Sequence, residues 1–282
     1  MPSHSPTTYL GVILLSLGAG SLKCHAQVDP WEFEVYPYAT TQRGMVELET
    51  DNAVVTRGHD MGGDGTAEGT LPSQGMWYNA YELTYGLTDR IEAAAYLTMA
   101  QPDGRTYQWA GDKLRLRGRL FDEDILPVNL GWYAEMEWHK TPQFDDASEE
   151  FEFRPIIEKD AGAFSIMANP KFEKVLSGVG RDQGVEFGYV AGVYYRATRV
   201  LSPGLEFYGG MGLLDQTDPS SEQQHYLCPV LWGELPHGLE YNVGVGYGLT
   251  RGSDRMVVKF NIELERFVGA IFKGSPETSW FY

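Results

Sequence analysis

The strongest constraint in this sequence is a period-two alternation of apolar and polar side chains, repeated in runs of about ten to fourteen residues. Trp77, Tyr81, Leu83 and Tyr85 share one face with Asn79, while Ala80, Glu82 and Thr84 take the other. Leu130, Trp132, Ala134, Met136 and Trp138 oppose Tyr133, Glu135, Glu137 and His139. Met256, Val258, Phe260, Ile262 and Leu264 oppose Lys259, Asn261 and Glu263. Helical periodicity is scarce after the first residues. Strands of globular sheets usually run about five or six residues, so runs this long suit tilted strands that cross a bilayer. The expectation is an all-β chain, a closed antiparallel transmembrane β-barrel of about twelve strands.

The patterning predicts strands at 44–56, 75–87, 90–100, 107–120, 128–140, 148–159, 163–175, 184–198, 203–214, 223–235, 238–249 and 254–267. Their connections alternate in character. Thr88-Asp89, Asp160-Ala161-Gly162, Ser202-Pro203-Gly204 and Pro236-His237-Gly238 read as tight turns, with longer polar loops between them. Two connections fit less neatly, 121–127 being long for a turn and 250–253 short for a loop. Short turns at one end and long loops at the other is the bacterial barrel pattern, with turns and both termini on the periplasmic side.

Ahead of the strands, Tyr9 to Leu22 forms an apolar run of signal-peptide length, followed by Cys24-His25-Ala26 as a cleavage context. The expected organisation is a signal peptide over 1–26, an extension or short plug over 27–43, the barrel over 44–272 and a tail over 273–282. The stretch Trp31 to Tyr38 alternates, but Pro37 interrupts it, so either a periplasmic extension or a lumen plug fits. Cleavage after Ala26 leaves Cys228 as the only cysteine, which excludes an intramolecular disulfide. A net charge of −17 argues against nucleic-acid binding, which needs a basic surface. The expected surroundings are outer-membrane lipid and small solutes, in the cell outer membrane of a Gram-negative bacterium.

Placing the polar face of each strand inward sets the lumen. A lysine or arginine facing lipid at mid-bilayer costs about 2–4 kcal/mol, which strongly favours this orientation. The residues expected to line it are Glu82, Glu92, Arg115, Arg117, Arg119, Glu135, Glu137, Glu152, Arg154, Glu186, Arg196, Glu240, Lys259 and Glu263. Arg255 also falls on the inward side of the last strand, and Glu265 joins the same face. Arg115, Arg117 and Arg119 form a basic ladder on one strand, with Leu114, Leu116 and Leu120 outward. Acids and bases that pair across the barrel fill it; an unpaired excess of acid leaves a narrow hydrated passage.

No cofactor, metal or catalytic set is read. His59, His139, His225 and His237 lie outside any serine-hydrolase context, and Asp145, Asp146 and His139 are the nearest approach to a protease rim. Asp60, Asp64 and Glu68 are spaced oxygen donors in a glycine-rich loop, but their spacing departs from an EF-hand and suits a solvated surface.

Tyr85-Gly86-Leu87-Thr88-Asp89-Arg90 and the run Asn242 to Thr250 (NVGVGYGLT) are glycine-aromatic barrel motifs. They resemble a broad family of outer-membrane transporters filed under the meta-cleavage pathway of phenol degradation, most clearly over 75–100 and 238–267. The resemblance implies an outer-membrane barrel and a role in uptake of small organic compounds, and carries over no binding residue. The expected function is a porin-like channel for passive passage of small solutes through an acid-biased lumen, without covalent chemistry. The alternative is a plugged structural or partner-binding barrel.

Overall fold

A computed structural model of the protein describes residues 28–59, 71–123 and 125–264. Within them lie twelve strands: β1 (Val46–Arg57), β2 (Trp77–Gly86), β3 (Ile91–Gln101), β4 (Gln108–Arg119), β5 (Asn129–His139), β6 (Ala147–Ala161), β7 (Phe164–Gly178), β8 (Glu186–Tyr195), β9 (Ser202–Leu213), β10 (Gln224–Leu235), β11 (Leu239–Gly248) and β12 (Met256–Leu264). Each pairs antiparallel with its sequence neighbours, and β12 returns to β1 to close the barrel. All twelve overlap the strands expected from the alternation. Closure removes every free edge, so the ring leaves no unpaired strand.

Burial along each strand is inverted relative to a soluble protein. On β4, Lys113, Arg115 and Arg117 are buried, whereas Leu114 and Leu116 are 54% and 45% exposed. Leu83, Leu97, Phe151, Ile166, Leu231 and Ile262 likewise stand outward. Aromatic rings ring both rims of this apolar face. Trp77, Trp109 and Tyr247 sit at one end, and Tyr85, Phe164 and Tyr195 at the other. A continuous apolar exterior of this size is unfavourable in water and favourable against hydrocarbon.

The two ends differ as expected, except that Ser202-Pro203-Gly204, read as a turn, opens β9 and the turn lies just before it. Residues 87–90, 120–128, 162–163, 196–201 and 236–238 close one end, called here the turn end, and the longer loops gather at the other. The 121–127 connection belongs to the turn end and 250–253 to the loop end, so their unusual lengths leave the alternation intact. In the turn after β10, His237 and Gly238 both have positive φ, as a tight hairpin requires. The proposed signal segment, the acids Asp60, Asp64 and Glu68, Glu265 and the expected tail lie outside the described residues.

The N-terminal segment lies within the barrel. Residues Val28 to Thr41 run from the loop end, where the Val28 amide donates to Gln224 at 2.8 Å, to the turn end, where the Thr41 amide donates to Glu92 at 2.6 Å. Gly44, at φ 78°, helps turn the chain out of the lumen and into β1. It donates to the Gly86 carbonyl, and a Cβ on Gly86 would sit 2.0 Å from the Gln42 carbonyl oxygen. Only glycine lets the entering segment lie so close to β2. The described chain therefore starts at the loop end, contrary to the expectation that both termini lie on the turn side. Lumen burial on two sides explains the alternation of 31–38: each face of the segment meets a different wall.

Candidate functional site in the barrel lumen

Trp31, Phe33 and Val35 meet the apolar wall. Trp31 packs edge-on against Tyr78 with ring centres 5.0 Å apart, and Phe33 lies between Tyr208 and Tyr226. Alanines at 53, 80, 94, 100 and 110 leave space for these rings. Glu32, Tyr36 and Tyr38 meet the charged wall instead. Glu32 accepts from Arg154 at 2.8 Å and from the hydroxyls of Tyr36 and Tyr133 at 2.6 and 3.1 Å, and Lys113 stands 3.4 Å away.

The segment's backbone is satisfied by side chains of the wall rather than by a strand ladder. Asn169 accepts from the Tyr36 amide at 2.8 Å and donates to the Tyr36 carbonyl at 3.1 Å, imitating a neighbouring strand. Glu158 accepts from the Tyr38 amide at 2.7 Å, and Lys259 donates to the Phe33 carbonyl at 2.7 Å. Buried amides left without partners are costly, so these wall residues specify both the place and the register of the segment.

The wall charges pair in layers. Arg115 bridges Glu82 and Glu92, Arg117 joins Glu92 at 2.7 Å, and Lys113 reaches Glu135 and Glu137 at 3.3 and 3.2 Å. Arg154 and Lys171 share Glu152, and Lys171 also holds Glu173. Lys259 pairs with Glu206 at 2.6 Å beneath the Tyr208 hydroxyl. Tyr36 and Tyr133 stack within cation–π distance of Arg154, at 5.3 and 4.6 Å. Among the described residues, twelve buried acids stand against six buried bases.

Glu82, Glu92, Arg115, Arg117, Glu135, Glu137, Glu152, Arg154, Glu186 and Lys259 are thus all buried inside. Glu240 and Glu263 are half-buried around the turn-end opening. Three of the expected bases sit at the barrel ends. Arg119, the last residue of β4, lines the vestibule at the turn-end rim and donates to the Asp89 carbonyl, so the ladder runs from the buried Arg115 and Arg117 out to the opening. Arg196 lies one residue past β8 and pairs with Asp160 at 2.6 Å, also at this rim. Arg255 is exposed at the loop end, before β12 begins. For Arg196 and Arg255 the strand stops sooner than the alternation, because turn and loop residues share the polar character of the lumen face.

The residues that sequence reasoning passed over are Asp29, Glu32, Tyr36 and Asn169. For Glu32 and Tyr36 the signal was the alternation of 31–38 itself, which a lone exposed strand at the chain's start would not need.

The interior is sealed at mid-height. Arg154, Tyr36, Tyr133, Glu32, Glu135 and Glu152 are each less than 2% exposed. Toward the turn end a vestibule of about 790 Å³ opens, lined by Glu49, Arg117, Glu158, Trp232, Asn261 and Glu263 among others. Toward the loop end lies a cavity of about 90 Å³, between Phe33, Leu71, Phe144 and Tyr226. His139, Asp145 and Glu150 come together near that end, with ligand-type atoms within 4.8 Å of one another. Burial and the neighbouring Glu150 push the Asp145 carboxyl up to about 6 against the opposing pull of His139.

No protein-family model and no curated protein matches the sequence. Solved structures do. The crystal structure of an outer membrane channel from Pseudomonas putida F1 superposes with a TM-score of 0.54 at 12% identity, covering 82% of this chain and 100% of that one. A second chain, from a study of in-meso crystallization of membrane proteins, covers 83% of this chain and 96% of its own at 9% identity and a TM-score of 0.44. The first likeness is one of fold: this chain is built on the same kind of closed barrel as an outer membrane channel.

Proposed function

We propose that the protein is an outer-membrane channel for small solutes, held shut at rest by its own N-terminal segment. The observation that carries this reading is the sealed layer around Glu32, with an open vestibule on one side and a segment outside the hydrogen-bonded ring as the seal. Such a segment leaves the lumen without opening a single strand pair. The vestibule mixes nine acids and five bases with Val35, Leu126, Val128, Met167 and Trp232, an acidic balance that suits small neutral or cationic organic compounds better than anions. The same seal, if permanent, would make a structural barrel. Conductance in planar bilayers separates the two: gated openings in the intact protein support the channel, and silence under all voltages supports the structural barrel.

Location has its own test. The apolar exterior with aromatic rims predicts recovery in the outer-membrane fraction and a band on gels that shifts on heating; recovery as a soluble periplasmic protein would sink the reading.

Orientation follows from the turns. A cysteine at Asp103, exposed at the loop end, should label on intact cells, and one at His237 only after the outer membrane is opened. Native Cys228 is fully buried and should stay silent, although its replacement removes any ambiguity. Reversed labelling would invert the proposed topology.

A further inference from the structure

Glu34 of the lumen segment, Glu49 and Asp51 of β1 and Glu82 of β2 bring four carboxylates together, with one oxygen from each within 4.8 Å of the others. Arg115 and the Thr84 hydroxyl occupy one oxygen of Glu82. The other Glu82 oxygen, one of Glu34 and both of Asp51 are buried without a hydrogen-bond partner, and Asp51 is 1% exposed. Arg115 and Arg117 are the cations on this side, and both are already committed to Glu92. Carboxylates this close repel strongly unless they hold protons or a cation stands between them.

A second observation comes from the adjoining strand. Asn261 of β12 lies opposite Asp51, in the register that pairs Thr50 with Ile262 and Ala53 with Lys259. It is 3% exposed, and neither its amide oxygen nor its amide nitrogen has a partner. Glu34, Glu49 and Asn261 also line the vestibule, which supplies a path from solvent.

We propose that these residues form a binding site for a hard divalent cation of calcium's size. Calcium takes six to eight oxygens at about 2.3–2.6 Å and accepts all-protein cages of carboxylate and amide oxygens, so four carboxylates with oxygens within 4.8 Å of one another, beside the Asn261 amide, can close around one ion. Magnesium wants a tighter octahedron at about 2.0–2.1 Å, and zinc favours nitrogen or sulfur donors, of which the cluster has none. Glu34 belongs to the lumen segment and the other ligands to the wall, so the ion clamps the segment in place. The site follows from the barrel's geometry and stands whether or not the barrel conducts.

The test is calcium binding to the full mature chain, refolded from inclusion bodies into detergent so that no lipopolysaccharide contributes cations or sites. Calorimetry should find one calcium per barrel, and calcium at about 1 mM should raise the temperature at which the folded gel band converts. Asp51→Asn should keep the heat-shifted band, since it relieves repulsion, yet weaken calcium binding at least about tenfold. Glu49→Gln, at the vestibule margin, provides the same comparison independently. Asp64→Asn, in the acidic loop, should bind as the parent does. Absence of binding, binding undiminished in both Asp51→Asn and Glu49→Gln, or equal stabilisation by magnesium would overturn the proposal.

Discussion

Deleting residues 28–43 is expected to convert a barrel that is closed most of the time into one that conducts steadily. Every hydrogen bond between the twelve strands survives the deletion, and the backbone contact with the ring that goes is the Arg43 bridge to Gly86 at the end of β2. What disappears is the layer of Glu32 and Tyr36 that fills the space between Arg154, Tyr133 and Lys113. A barrel of twelve strands lies between filled eight-stranded barrels and open porins, so its width alone leaves room for a passage once the filling goes. Mean conductance in planar bilayers should rise by roughly tenfold or more. The open lumen should prefer cations, since buried acids outnumber buried bases on the wall. A milder version is Glu32→Ala. Removing one partner of a buried, hydrogen-bonded ion pair costs about 3–5 kcal/mol, because the cations it leaves behind are uncompensated. That loss falls on the docking of the segment, so this variant should flicker between closed and open levels while its band still shifts on heating. A deletion variant that folds but stays silent would show that the wall itself blocks the barrel.

A charge placed on the other face of β4 should act on assembly rather than conductance. Leu116→Arg puts a guanidinium on the apolar exterior, where Leu116 is now 45% exposed between Ala93 on β3 and Ala134 on β5. Near the bilayer centre the cost is about 2–4 kcal/mol, enough to reduce the folded fraction in membranes strongly. Arg117→Ala changes the adjacent residue at nearly the same depth. It leaves Glu92 with Arg115 and the Thr41 amide, so the barrel should assemble, with a weaker seal and greater cation preference. Comparing neighbours on one strand separates the effect of facing from that of depth. Normal assembly of Leu116→Arg, together with an Arg117→Ala protein indistinguishable from the parent in folding and conductance, would reverse the inside and outside of this strand.

Much of this architecture was legible in the residues alone. Alternation is a local property: on a strand every second side chain points the same way, so the pattern around Glu82 or Glu135 reports its facing without knowledge of any partner. The twelve strands, their even count and the separation of turns from loops followed, and so did the inward placement of Arg115, Arg117, Arg154 and Lys259. Errors gathered at strand ends, where Arg196 and Arg255 carry lumen-like polarity into turn and loop residues just outside β8 and β12.

Only the closed barrel could show which charge meets which, because partners such as Glu32 and Arg154, or Glu206 and Lys259, are far apart in sequence and meet across the lumen. The same holds for the N-terminal segment. Its alternation fits an extension or a plug equally well, and Pro37 adds to that ambiguity. What decided its place was the wall: Asn169, Glu158, Lys259 and Glu92 each satisfy a backbone group of residues 33–41, and their side chains come within reach of it only when the ring is closed around the segment. Facing is set by the geometry of a single strand; pairing and filling are set by the ring, which exists only once β12 has found β1.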